Sequence, residues 1–405
     1  MKTIRLTAIA LIAIAFVLLS AGCTQPAGTP SEKSVVILDG KGVGSLPMLL
    51  ATNQIDGYIA WQPFVSVATE SRIGKLVTYS QNLPPEGMWK DHPCCALFVR
   101  EDFLAANPDI VNAISALSIA STDYLNAHQD EAADLVADWI AGKGNLTYGN
   151  VTVSSIAVVH SAIPTVKYTT NPSPEWINGT GNFVSTQIEL GYVTAKIKNA
   201  TPAERNALLF DFKPYQAARK MVDDKKVVTP AKLNKQFAIG YLKGDMHSAS
   251  LTVAVKKYQY FNDTYGVALV PRDPTQSRPE ICDLVVNGQK VAEVKLIEGS
   301  AGPQVAQLAA TDTVQMGYIG TPPEIAGIDK GTPIKILHPL NTEGSGVVVS
   351  AGAPASDWNS FVSWAQQRSA EGKPVIMGIP LKGSIQDVML RFALKSDGFQ
   401  LKEAS

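Results

Sequence analysis

Leu50-Ala51-Thr52, then Ile55-Asp56-Gly57-Tyr58-Ile59-Ala60-Trp61-Gln62-Pro63, returns later in the chain as Ala309-Ala310-Thr311 and Gln315-Met316-Gly317-Tyr318-Ile319-Gly320-Thr321-Pro322. Each copy reads as the end of a helix, a short buried strand, and an aromatic or polar residue before proline. In parallel α/β sheets ligands bind at the C-terminal ends of strands. Two copies therefore predict two similar lobes facing one cleft, although two unrelated parallel strands would share so short a pattern.

Outward from the repeat, apolar runs alternate with helical stretches, which predicts an α/β fold with mostly parallel sheets. Strands are expected at Ser34-Val35-Val36-Ile37-Leu38, Leu76-Val77-Thr78-Tyr79-Ser80 and Ala96-Leu97-Phe98-Val99, with helices over 46–52 and 107–142. Residues 171–230 read as polar and helical. A second series follows: a strand at Phe237-Ala238-Ile239-Gly240-Tyr241 and a helix over 247–260. Two strands bracket Asn287-Gly288, a two-residue hairpin signal. Further strands are expected at 334–337, 346–350 and 374–379, and a helix over 385–395.

The chain opens with Lys2 and Arg5, an apolar run over 6–19, and Ser20-Ala21-Gly22 before Cys23. That run is short for a membrane span and fits a secretory signal. The ending resembles a lipoprotein signal, with 1–22 removed, Cys23 lipidated and 23–33 a flexible tether; ordinary secretion with Cys23 unmodified is the alternative. The expected location is extracytoplasmic, on the outer face of the cytoplasmic membrane. Asn145, Asn150, Asn178, Asn199 and Asn262 each open an Asn-X-Thr sequon, an acceptor only on secreted surfaces.

Lys and Arg number 35 against 36 Asp and Glu, a net charge of -1. No basic field exists to hold a nucleic-acid backbone. Four cysteines are too few for a disulfide scaffold. No hydrolase nucleophile elbow, zinc-protease or P-loop motif is present, so no catalytic residue and no cofactor is assigned and the chain is not read as an enzyme.

These segments are similar to those of extracytoplasmic solute-binding proteins of ABC importers, in the nitrate, taurine and alkanesulfonate branch with its thiamine-precursor relatives. The resemblance rests on 54–63, Met316-Gly317-Tyr318-Ile319-Gly320-Thr321-Pro322-Pro323, Glu343-Gly344-Ser345-Gly346, Lys382-Gly383-Ser384-Ile385-Gln386-Asp387 and Gly240-Tyr241-Leu242-Lys243-Gly244-Asp245-Met246-His247. It implies a two-lobed periplasmic-binding-protein-like fold of type II. It also implies a monomer that closes over a small anionic or zwitterionic solute and delivers it to an ABC permease. The order of segments departs from the family. Residues 34–230 look like its later part (most of lobe two and the C-terminal helices), and 237–405 like lobe one and the start of lobe two. Residues 397–405 read as a helix exit with no strand after it, and 34–38 as a strand with no helix before it. A circular permutation is expected, with 231–236 bridging the old ends; two truncated tandem copies would leave unpaired strand edges.

The resemblance implies a cleft lined by Trp61, Gln62, His92, Asp245, His247, Gly320, Thr321, Gly344, Ser345, Gly383 and Ser384. Gly383-Ser384 opens a helix whose free N–H groups suit an anionic head, or is a plain cap. Trp61 walls the cleft or packs the lobe. Glu343 opposes an anion, which leaves an amine-bearing solute open. Asp91-His92-Pro93-Cys94-Cys95 is the oddity: no partner cluster with metal spacing accompanies it, so no metal is assigned, while Cys282 could bond to Cys94 or Cys95 in an oxidising compartment. The other function classes are a pyrimidine synthase of the thiamine-precursor kind, whose Cys- and His-rich loop serves iron-dependent chemistry, and a surface sensor lipoprotein without transport.

Overall fold

The computed structural model describes residues 33–404; the expected signal peptide, Cys23 and the tether up to residue 32 lie outside them. In the first half the strands are β1 (Ser34–Asp39), β2 (Gly57–Trp61), β3 (Gly74–Tyr79), β4 (Cys95–Arg100), the hairpin of β5 (Asn145–Tyr148) and β6 (Val151–Ser154), and β7 (Val166–Tyr168). The second half begins with β8 (Phe237–Leu242), β9 (Val267–Pro271), β10 (Ile281–Val286), β11 (Gln289–Gly299) and β12 (Met316–Gly320). It continues with β13 (Ile334–Pro339), β14 (Asn341–Glu343), β15 (Ser345–Ser350), β16 (Ile376–Ile379) and β17 (Gln400–Glu403).

Two large sheets result, ordered β17-β1-β16-β2-β15-β3 and β13-β4-β12-β8-β11-β10-β9. They share one plan. In the first, β1, β16 and β2 are parallel neighbours and β15 runs antiparallel to both β2 and β3. In the second, β11, β8 and β12 are parallel and β4 runs antiparallel to both β12 and β13. The expected mostly parallel sheets are therefore mixed, for a topological reason. A chain that leaves one sheet at a strand's C-terminal end enters the facing sheet from the cleft side, and so runs against its new neighbours. β3 feeds β4 this way through 80–94, and β13 feeds β15 through 340–344. Every residue of β2, β4 and β8 is buried, as expected of inner strands covered on both faces.

Neither half of the chain completes its own lobe. Val36 pairs with Ile376, and Met377 with Gly57, so β16 from the C-terminal half sits between two strands of the N-terminal half. The expectation that no strand follows the last helix is corrected. After Gly398 turns left-handed (φ 80), β17 pairs parallel with β1, Ser34 opposite Gln400, and covers an edge that would otherwise present unpaired backbone groups. With only Leu401 half-buried among polar neighbours, the segment carries little strand signal.

The other differences are local. The stretch 107–142 is two helices, Pro108–Ala127 and Gln129–Ile140, interrupted at His128, whose Nδ1 lies 3.0 Å from the Tyr124 carbonyl. The helix expected over 247–260 is a 3-10 turn, Met246–Ser248, followed by Ala249–Lys256 and Tyr258–Tyr265. Asn287 (φ 48) and Gly288 (φ 75) make the expected hairpin turn between β10 and β11. Cys94, Cys95 and Cys282 are free and buried. Four strand spacings separate β10 from β4, roughly 19 Å, against the ~7 Å that a disulfide allows between Cα atoms, so Cys282 is not bonded to either. Asn145, Asn150, Asn178 and Asn199 are exposed and Asn262 is half-buried. Among the described residues no helix is long and apolar enough to cross a membrane.

Candidate functional site

The C-terminal ends of the parallel strands meet between the two sheets around a small cavity closed down to about 10 Å³. From the second sheet and its loops come Cys95, Leu242, Asp245, His247, Gly302, Gly320 and Pro323; from the first come Trp61, Ser384, Ile385 and Gln386. Wider grooves flank it. One, of about 530 Å³, is lined by Tyr192, Lys330 and Lys382; the other, of about 410 Å³, by Lys41, Phe64, Tyr148, Lys243 and Arg278.

Asp245 and His247 follow β8 directly. The Asp245 carboxylate accepts the His247 backbone N–H at 2.9 Å, which folds the loop into its 3-10 turn and aims both side chains at the cavity. His247 Nε2 donates to the Gly344 carbonyl at 3.0 Å, and its Nδ1 faces Cys94 Sγ at 3.2 Å and Cys95 Sγ at 3.8 Å. Gly344 is required there: it sits at φ 85, and a Cβ would come within 2.4 Å of His247 Nε2. Trp61 Nε1 reaches the Gly244 carbonyl across the cleft at 3.4 Å, joining the lobes.

Electrostatics couple these groups. Burial works against a charged His247, but the Cys94 thiolate and the Asp245 carboxylate outweigh it and raise the imidazole to about 9. Burial lifts Asp245 to about 6, partly offset by His247. Burial also opposes a Cys94 thiolate, yet the hydrogen bond from Cys95 and the charge on His247 prevail and hold Cys94 well below the usual thiol range; Cys95 is pushed well above it by burial and by Cys94. Behind Cys95, the Glu324 carboxyl is fully buried with no partner for either oxygen, and burial pushes it far up.

Of the residues expected at the cleft, Trp61, Asp245, His247, Gly320 and Ser384 line the cavity. Thr321 backs it, its hydroxyl donating to the Cys94 carbonyl at 3.0 Å, and Ser345 Oγ accepts from Gln386 Nε2 at 2.8 Å. Gln62 does not line it: its side chain accepts from Ser66 N and donates to Thr165, holding the start of a helix. His92 is also turned away, 2.8 Å from Ser80 Oγ and edge-on to Trp89 and Phe183. At the helix Ile385–Ser396, Ser384 caps Asp387 N, and the Gly383 N–H donates to the Asp387 carboxylate at 2.7 Å. That carboxylate, tied in turn to Tyr192 and Arg391, fills part of the expected anion seat. Glu343 is buried at the crossing segment, bonded to Lys167 Nζ and the Asp91 N–H.

The contribution of Cys94 and Cys95 was invisible locally, because their partner lies in the other half of the chain. Together with His247 they place one ligand atom each within 4.8 Å of one another. Ile385 and Gln386 carried one usable signal, their place in the first turn behind an expected cap.

A family profile, the NMT1-like family, matches residues 36–141 and 231–404. An uncharacterized protein of Methanocaldococcus jannaschii is 34% identical over 106 residues, 26% of this chain and 70% of that protein. No solved structure matches. Two sheets of one plan around a shared cleft form a two-lobed periplasmic-binding-protein-like fold, and with the profile covering most of both halves the chain belongs to the NMT1-like family, whose members bind substrates for ABC transport.

Proposed function

We propose that this chain is the extracytoplasmic solute-binding lipoprotein of an ABC importer. It is anchored through Cys23 to the outer face of the cytoplasmic membrane, captures a small anionic or zwitterionic solute as its lobes close, and presents it to the permease. The observation that carries the reading is the cavity, walled from both sheets at the strands' C-terminal ends, with two crossing segments as hinges. Lys41, Lys243 and Arg278 at one mouth, and Lys330 and Lys382 at the other, favour attraction of anions. The Asp245 carboxyl at the cavity favours a solute that also carries an amine, as taurine does.

We read the element order as a circular permutation in which 237–405 precede 34–230 and 231–236 bridge the old ends. Three observations support it: β1 lies beside β16, each sheet borrows strands from both halves, and the family match falls in two blocks. Completion of both sheets within one chain supports a monomer.

A thermal-shift screen of nitrate, taurine, alkanesulfonates, bicarbonate and thiamine pyrimidines tests the reading. A true solute at 100 times its Kd adds about 2.7 kcal/mol, or ~3 °C for a chain of this size. Silence across the whole panel rejects capture of these solutes and favours a sensor.

A further inference from the structure

We propose that Cys94, Cys95 and His247, with Asp245 beside them, form a binding site for a thiophilic divalent cation of the zinc class, set in the floor of the cleft. The inference goes beyond the transport reading and does not depend on it.

The geometry comes first. Cys94 Sγ lies 3.2 Å and Cys95 Sγ 3.8 Å from His247 Nδ1, Cys95 Sγ lies 3.9 Å from Asp245 Oδ2, and His247 Nδ1 lies 3.3 Å from Asp245 Oδ1. In a tetrahedral zinc shell with Zn–S of ~2.3 Å and Zn–N or Zn–O of ~2.0 Å, neighbouring donors stand ~3.3–3.8 Å apart. Cys94, Cys95 and His247 each place a donor atom within 4.8 Å of the other two, and Asp245, which meets Cys95 and the ring through different carboxylate oxygens, is the nearest carboxylate to complete the shell.

Adjacent residues of a pleated strand point to opposite faces. Cys94 and Cys95 nevertheless bring both sulfurs to one ring nitrogen, because β4 begins only at Cys95 and Cys94 belongs to the crossing segment before it. The imidazole is oriented for the same purpose. Nε2–H donates to the Gly344 carbonyl, the outer hydrogen bond that metal-binding histidines characteristically make, and this turns Nδ1 to the sulfurs, where a metal would replace its proton.

The donor set selects the ion. Two sulfurs, an imidazole and one carboxylate suit zinc; magnesium and calcium require oxygen shells. Binding displaces the Cys95 thiol proton and the His247 Nδ1 proton and leaves two thiolates and a neutral imidazole as ligands. All four donors belong to the second sheet and its loops, while Trp61 and the helix Ile385–Ser396 cover them from the first, so the ion enters the open cleft and is enclosed on closure. Among the described residues no Lys or Arg lines the cavity. A bound dication supplies the positive charge that a buried anionic head there would need.

The test uses the full chain, reduced and stripped of metal. Titration with Co2+ is expected to give one equivalent of tetrahedral cobalt, with strong visible bands and a near-ultraviolet thiolate band, both abolished by one equivalent of Zn2+. Cys94→Ser and Cys95→Ser each weaken the thiolate band, and His247→Gln weakens zinc binding at least tenfold. Zinc-edge X-ray absorption on the unaltered protein needs no variant; two sulfurs at ~2.3 Å and two lighter donors at ~2.0 Å support the site. A weak octahedral cobalt spectrum, or a sulfur-free zinc shell, overturns it. A solute that shifts Tm in the metal-free protein while cobalt fails to bind sinks the metal site and leaves transport standing. Tight cobalt binding with no solute response does the reverse.

Discussion

Gly344→Ala strikes the joint between a crossing segment and the cleft, and its cost can be worked out in advance. The new Cβ would meet His247 Nε2 at 2.4 Å and Val166 Cγ2 at 2.9 Å, in a backbone held at φ 85. Alanine in the left-handed region costs ~1–2 kcal/mol. Displacing the ring also breaks the hydrogen bond from the imidazolium to the Gly344 carbonyl, a further ~1.5–3 kcal/mol for a charged donor. The combined loss of ~2.5–5 kcal/mol corresponds to ~3–6 °C in Tm for a chain of this length. Denaturant and thermal unfolding at pH 7 read it directly. The decisive comparison is the same substitution in a His247→Ala background, where the ring clash and its hydrogen bond are gone and the left-handed cost of ~1–2 kcal/mol remains with the contact to the Val166 side chain. An equal cost in the two backgrounds refutes the reasoning.

Two predictions concern buried titratable groups elsewhere. Glu324→Gln is expected to stabilise the protein at pH 8 by roughly 1–3 kcal/mol by removing an unpartnered buried carboxyl. Because folding holds that acid protonated, native stability falls as pH rises above the unfolded value near 4.5, whereas the glutamine variant lacks this slope; parallel pH–stability curves would refute it. His338, buried with Nε2 unpartnered, is lowered by burial to about 4. It therefore stays neutral in the fold, and stability is retained above pH 6.5 and lost between 6.5 and about 4, by up to ~3 kcal/mol. An NMR titration placing its ring near 6.5 would overturn that.

The two lobes were legible because their signal is local: the strand–turn pattern at Gly57-Tyr58-Ile59 and at Gly317-Tyr318-Ile319 marks strands that do end at the cleft. The mixed strand directions were not, since β4 and β15 owe theirs to where the chain comes from. β17 escaped notice because its pairing with β1, rather than its composition, makes it a strand. At the site, proximity in sequence pointed to His92 beside the cysteines, yet its ring turns to Ser80. His247 reaches Cys94 only through the register of β8, β12 and β4, long-range pairing that no local pattern encodes. Gln62 carried the right position and the wrong direction: its backbone meets Gly344 and Met246 while its side chain bonds Ser66 and Thr165.

The interleaving of β16 between β1 and β2 has a consequence for how the protein is made. At ~5–20 residues per second the ribosome needs ~20–70 s to go from Val36 to its partner Ile376, and through that interval two hydrophobic strands wait with bare flanks. Folding of that lobe is thereby deferred almost to the last codon. Until then the open strand edges are exposed to pairing with other chains, and a prematurely terminated product lacks the strand that joins β1 to β2.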